Sequence, residues 1–385
     1  LDPQPQVIGS ALLVNENGRL HYLDNLRALA MLAGVLFHAA LAFSPLMHNF
    51  WLTADRSQSE LVDAAVWLVH LFRMPLFFAI AGFFAARLVE QRGVGGMLSN
   101  RMGRVLLPLV LFWPPVTVSI GWLTERAASS VQHAPPLLEL LRQKDLPWLS
   151  PSLVHLWFLG YLLLFYLLIW IAATAECKVP ARWMAWATPA RLMGLAPLLL
   201  APVLVSVGVP TPAPEGPLPQ LWAVVFYGAF FFFGYALHFR RLYLGGLRFG
   251  SATLGVASLA AYGGFLWLLK LQNRQPAAHL LAAVLEAYIG VWMTVWCLRV
   301  GQSWLNTPIR WLRYLSDGSY WTYLVHLPVV FAIQFQLLDW NAPWPFKWAV
   351  SVLATSGACL ASYQFAVRGT ALGRVLNGKP GGRTG

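Results

Sequence analysis

Apolar runs of span length recur from one end of this sequence to the other. Runs of about 18 to 25 residues are long enough, as helices rising about 1.5 Å per residue, to cross a hydrocarbon layer about 30 Å thick. That repetition decides the solvent before any motif is considered. With 58% of its 385 residues hydrophobic and only 11% charged, the chain falls far short of the roughly 25% charged residues of a soluble domain. In lipid every backbone N–H and C=O must be satisfied within the spanning structure, which a helix achieves by itself. The sequence therefore reads as an all-α integral membrane protein, a bundle of about ten transmembrane helices. The expected spans are 26–46, 64–88, 105–123, 153–174, 192–209, 220–239, 249–270, 278–298, 317–337 and 347–367.

The net charge of +12 suggests nucleic acid until it is sorted by loop. With the N-terminus inside, nineteen of the 27 Lys and Arg residues fall on the cytoplasmic side and seven on the other, with Arg73 inside a span. Such a bias sets orientation, so both termini are expected in the cytoplasm and no nucleic-acid partner is expected. The expected division is a cytoplasmic tail at 1–20, a membrane domain at 21–370 and a second cytoplasmic tail at 371–385, in a multi-pass protein. The first apolar run is of full span length rather than a short leader core, so a retained span is expected in place of a cleaved signal peptide.

Between the spans, 124–152 contains "HAPPLLELLRQKDLPWLSPS", a short amphipathic helix between proline-rich turns. The proline-rich "GVPTPAPEGPLPQ" at 208–220 is a loop. Cys177, Cys297 and Cys359 have no paired spacing and read as packing residues rather than a disulfide or zinc framework. Trp51, Trp122, Trp148, Trp222, Trp340 and Trp344 stand near span ends, as an interfacial belt does. There is no fixed-period repeat.

Ionisable groups in the hydrocarbon region are costly unless paired or wetted, so they are functional candidates. In "DNLRALAMLAGVLFHAALAFSP" (24–45), Arg27 and His38 are eleven residues apart. That spacing is three helical turns plus roughly 20°, which puts both on one face, about 16 Å apart along the axis. Asp24 falls on the same side and can hold the guanidinium. Arg73, in "FRMPLFFAIAGFF", is expected at nearly the depth of His38. Arg101 and Arg104, in "NRMGRVLLPLVLF", stand one turn apart at the start of the third span, where a helix N-terminus also favours anions. Arg87 and Arg92 lie upstream in an expected loop. His155 opens the fourth span, His326 lies within the ninth, and His70 and Glu286 also fall inside spans. A structural account competes for each: a membrane histidine can bond to a neighbouring helix, and paired arginines can serve as topology anchors.

Taken together the motifs carry a resemblance. "YLDNLRALAMLAGVLFHAAL", with an Arg, ten intervening residues and a His, resembles the opening helix of the membrane acyltransferase-3 family. "FRMPLFFAIAGFF" is similar to its second helix and "RMGR" to its paired-arginine motif. "HLWFLGYL", "SYWTYLVHLP" and "VRGTALGRVLNGK" are similar to the glucan-biosynthesis branch of that family. The resemblance runs from about residue 20 to 380 and makes 21–370 the acyltransferase domain. The soluble esterase-like domain of some members is not part of the expected organisation.

The resemblance implies transfer of an acyl group, acetyl or succinyl, from cytoplasmic acyl-CoA to a sugar hydroxyl on the outer side. Arg27, Arg101 and Arg104 are then expected to hold the CoA phosphates. His38 is expected to act as general base or as an acyl relay, and Arg73 to stabilise the oxyanion or to recognise a succinyl carboxylate. His155, Trp157, Tyr323 and His326 are the candidate acceptor contacts. The expected partners are acyl-CoA as donor substrate, a carbohydrate or glycan acceptor and the lipid bilayer, with no metal and no permanently bound cofactor. A transporter or flippase of a sugar-containing substrate is the alternative class, since it also explains buried polar groups. It gives no reason for paired arginines at the donor side.

Overall fold

The computed structural model describes residues 20–144, 152–177, 188–239, 250–272 and 275–377. Among them the chain is helical, with no β-strand. The elements are α1 (His21–Ala40), α2 (Glu60–Arg101), α3 (Leu107–Ser130), α4 (Pro136–Lys144), α5 (Trp157–Thr174), α6 (Pro189–Val205), α7 (Leu221–Phe239), α8 (Ser251–Leu271), α9 (Pro276–Trp304), α10 (Arg310–Leu337), α11 (Trp344–Ser362) and α12 (Ala371–Asn377). Most of both tails lies outside the described residues, as do Trp148 and the basic residues Lys178, Arg182, Arg240, Arg241, Arg248 and Arg274 used in the charge count.

Each of the ten expected segments coincides with a long helix. Seven helical runs are long and apolar enough to cross a membrane, one of them the 71-residue run Glu60–Ser130 that holds both α2 and α3. α6 is a shorter apolar helix. α10 carries polar groups along its length, among them Thr322, His326 and Gln334, and does not count among the seven. The amphipathic helix expected after α3 is α4, which buries Leu138. Residues 206–220 are non-helical, as their prolines require.

Local chemistry places the helix ends. The Ser59 hydroxyl accepts from the Leu61 N–H at 3.3 Å, with Glu60 and Asp63 in the first turn of α2. Thr188 caps α6 in the same way, with Pro189 at its start. α1 begins at the end of the bundle where Asp24 and Arg27 lie, the basic end, and tightens into a 3₁₀ turn at Leu41–Phe43. Beyond it, segment 44–59 folds back over the far end, with the Asp55 N–H bonded to the Ala42 carbonyl at 2.7 Å.

Three pins hold α1 and the segment that follows it in place. Asn25 Nδ2 donates to the carbonyls of Leu305 and Thr307, at 2.7 and 3.1 Å, between α9 and α10. Gln334 Nε2 on α10 donates to the Ala39 carbonyl at 2.8 Å, while its Oε1 accepts from Thr53 Oγ1 at 2.6 Å. Lys347 on α11 pairs with Asp55 at 2.6 Å, both groups buried. α2 and α7 meet backbone to backbone: a Cβ on Gly82 or Gly234 would overlap the carbonyl of Phe231 or Ala79, the close approach that small residues allow between membrane helices. Beside that seam Phe78 stacks on Tyr227, with centroids 4.9 Å apart.

Two assignments by residue type do not survive. Cys359 is buried and Cys297 half-buried, but Cys177 is exposed, because it follows the last turn of α5 rather than facing a neighbour. Trp122 and Trp340 are exposed as belt residues should be. Trp222 is buried, its Nε1 donating to Gln220 Oε1 at 2.6 Å, and Trp51 is turned in to stack on His38.

Candidate active site

At the basic end the chain turns on one residue. Gly93 adopts φ 69°, ψ 173° inside α2 and breaks the helix, a conformation that glycine adopts without a Cβ penalty. The chain then passes through a π-turn at Met102–Leu106 into α3, and such turns are frequent at functional sites. The bend gathers arginines that are distant in sequence: Arg92, Arg101 and Arg27 all act electrostatically on Arg104. Arg87 and Arg92 lie on α2 rather than in a loop. The helix-dipole argument for Arg101 and Arg104 fails, because the Met102 N–H bonds to the carbonyls of Leu98 and Ser99 and leaves no free helix start there.

Arg27 is aimed by α10. Its Nη2 donates to Ser316 Oγ at 3.0 Å, and Asp24 stands 3.9 Å away. The Arg101 guanidinium lies over the Tyr166 ring at 5.2 Å, and its Nε is buried without a partner. Arg104 is held through its backbone, where its carbonyl accepts from Tyr320 Oη at 2.8 Å.

About 16 Å further along α1, imidazoles cluster. The ring centroids of His38 and His326 are 5.1 Å apart, and those of His326 and His155 are 4.9 Å apart. The Tyr323 carbonyl accepts from His155 Nε2 and from His326 Nδ1, both at 2.9 Å. In return the Tyr323 hydroxyl donates to the His155 carbonyl at 2.7 Å. One turn of α10 thus fixes two rings from different elements.

Arg73 is buried, its guanidinium 4.5 Å from the Phe37 ring centroid, and a Cβ on Gly34 would sit 2.7 Å from its Nη1. Gly34 is one turn from His38 on the same helix, so Arg73 and His38 are neighbours in depth, as the sequence suggests. No hydrogen bond joins them; the space between them opens to the cavity.

Toward the far end, His70 Nε2 donates to the Thr211 carbonyl at 2.7 Å and stacks on Phe37. The Thr211 N–H and hydroxyl both donate to Glu286 Oε1. Glu286 therefore has its partner in the proline-rich loop, which it ties down against the bundle.

One cavity of about 1450 Å³ joins the arginine cluster, the imidazoles and the Thr211 loop. Its wall includes every residue given a catalytic or binding role from the sequence: Arg27, Arg101 and Arg104 at one end, His38 and Arg73 in the middle, with His155, Trp157, Tyr323 and His326. Ligand pockets commonly run to about 300–1,000 Å³, so this one has room for two reactants. It also takes in Arg92, His70, Trp51, Tyr320 and Thr211, which the sequence reading left unassigned or explained structurally. Among the described residues no group of three or more His, Cys, Asp or Glu is placed to hold a metal ion. The arrangement offers an anion seat at one end, bases and a buried cation in the middle, and a far end lined by residues of the 46–52 and 207–215 loops.

Helices long and apolar enough to cross a membrane, packed around such a cavity, define an integral membrane protein with an internal chamber. The chain belongs to the acyltransferase-3 family, whose acyltransferase domain matches residues 20–363, and it is an acyltransferase. Among its relatives is the glucans biosynthesis protein C of Salmonella paratyphi A (strain ATCC 9150 / SARB42), 25% identical over 376 residues that cover 94% of this chain and 95% of the relative. The proteins of that name from Salmonella agona (strain SL483) and Salmonella enteritidis PT4 (strain P125109) are 25% and 24% identical, with the same coverage. No solved structure matches this chain.

Proposed function

We propose that the chain moves an acetyl or succinyl group from acyl-CoA, bound at the basic end, to a hydroxyl of a carbohydrate or glycan that enters from the far end. The observation that carries this reading is the single cavity joining the arginine cluster to the histidine cluster and to the far-end loops. Arg27, Arg101 and Arg104 hold the donor phosphates, Arg27 aimed by Ser316. The pantetheine arm spans the roughly 16 Å of α1 between Arg27 and His38. The acceptor hydroxyl loses its proton to His38 as its oxygen attacks the thioester carbon. The C–S bond then breaks, and the proton passes to the leaving sulfur. Arg73, desolvated and lacking an acidic partner on the cavity wall beside it, stabilises the oxyanion or seats the free carboxylate of a succinyl group. His155, Trp157, Tyr323 and His326 line the acceptor's side. The relatives' name, glucans biosynthesis protein C, supports a glycan acceptor.

In this reading ten helices cross a bacterial-type inner membrane with both termini in the cytoplasm, so that the basic end faces the acyl-CoA pool. The excess of Lys and Arg on that side supports it. Calorimetry of acetyl-CoA and succinyl-CoA binding to the purified protein in detergent tests the reading. Micromolar binding of one donor is expected. It should be lost in Arg101→Ala with Arg104→Ala and kept in His38→Ala, which binds but does not turn over. Absence of donor binding to folded protein removes the basis for the mechanism.

A further inference from the structure

His326 is held in one tautomer. Its Nδ1 faces the carbonyls of Tyr323 at 2.9 Å and Thr322 at 3.1 Å. A carbonyl only accepts, so Nδ1 carries the proton and Nε2 is left as a lone pair. That Nε2 is buried and without a partner, and so is Nδ1 of His38. The two rings are 5.1 Å apart between centroids and tilted by 50°. Two orphaned nitrogens on adjacent rings, one of them obliged to accept, are complementary when the other donates.

We infer that His326 is a positioning residue that accepts a hydrogen bond from His38 Nδ1–H and so fixes His38 with its basic lone pair on Nε2, facing the cavity. A small rotation of the His38 ring about its terminal torsion, which is soft, closes the contact. The backing is rigid. His326 is anchored to the turn at Thr322–Tyr323, and the Tyr323 carbonyl is itself engaged by His155. During transfer His38 Nε2 takes the hydroxyl proton, and the Nδ1–H to Nε2 bond strengthens as the imidazolium forms. His326 keeps its own proton on the carbonyls throughout, and no proton crosses between the rings. A neutral imidazole as the orienting group suits this site, because a carboxylate there would be drawn to Arg73. The charged and titratable groups acting on His38 are His326 from α10, Arg73 and His70 from α2, and His155 from the turn before α5.

The inference rests on His38 being the base, and the test separates the two. The full chain, labelled with ¹⁵N-histidine and studied in detergent without donor, reports the tautomer of each ring. The His38 signals are assigned by their loss in His38→Gln. His38 is expected as the Nδ1–H tautomer, shifting to a mixture in His326→Leu. In turnover assays His326→Leu is expected to lower kcat about a hundredfold or more with little change in donor KM. His326→Gln, whose amide oxygen can accept near the position of Nε2, should recover at least about a tenth of native kcat. His38 found with its proton on Nε2 in the native protein, or native kcat in His326→Leu, overturns the inference. If His38→Gln itself turns over normally, the base assignment fails, while the tautomer measurement still stands on its own.

Discussion

Arg73 lies against Gly34, its Nη1 occupying the space that a side chain at that position would take. The glycine therefore sets how close the guanidinium comes to α1, and Gly34→Ala has to push it away because 2.7 Å is shorter than real Cβ contacts. Displacements of about 1 Å in a positioned site cost up to about a hundredfold in rate. Gly34→Ala is expected to lower kcat by about tenfold or more while leaving donor affinity at the arginine cluster unchanged. Steady-state kinetics beside calorimetry measures both, and an undiminished kcat would remove Arg73 from the reaction.

Ser316 is buried and accepts from Arg27 Nη2 through its hydroxyl at 3.0 Å and through its carbonyl at 3.4 Å. Ser316→Ala leaves the charge of Arg27 in place and removes the shorter of the two bonds that direct it, keeping the one to the backbone carbonyl. Donor affinity should weaken by about threefold to tenfold, in keeping with the loss of a single hydrogen bond to a partly exposed cation. The effect should shrink at high salt, where phosphate contacts weaken. An equal loss at all ionic strengths would assign Ser316 to packing instead.

Lys347 and Asp55 form a buried pair, with side chains 3% and 4% exposed. Removing one partner strands a charge, so Lys347→Met alone is expected to cost about 3–5 kcal/mol. Lys347→Met with Asp55→Leu should be much milder than either single change. Unfolding in detergent measures this, and additivity of the two single effects would show that the groups are not coupled.

Glu286 fastens the proline-rich loop through Thr211, whose carbonyl in turn holds His70. Glu286→Ala should raise hydrogen exchange of the amides at 208–216 and leave exchange in α1 unaltered. Donor binding should persist, since the basic end is remote. Unchanged exchange in the loop would show that the prolines alone hold it.

The all-helical fold and its apolar segments were legible because apolar length is a one-dimensional property that composition carries directly. Arg27 and His38 were legible as a pair because both lie on one unbroken helix, α1, where spacing converts to direction. Arg73 opposite His38 was reachable from depth alone, but its seat on Gly34 and Phe37 was not. Arg92 was out of reach for a different reason. Its approach to Arg104 depends on the Gly93 break and the π-turn, which replace the loop that a local reading supplies. Glu286 and Thr211 are 75 residues apart, and nothing in either neighbourhood marks the other. The tautomer of His326 likewise depends on carbonyl directions that only the folded turn reveals.

A cavity reaching both ends of a bundle that crosses a membrane is also a potential short circuit. Ion gradients across that membrane survive only if the middle of the cavity stays dry when no reactants fill it. The side chains placed to do that are rings. Trp51 stacks on His38 at 6.0 Å and meets Phe331 at 5.2 Å. The inward turn of Trp51 then makes it a seal as much as a wall. Trp51→Ala should therefore show itself in sealed vesicles as proton leakage across the bilayer, read with an internal pH dye, a cost that no turnover assay in detergent would register.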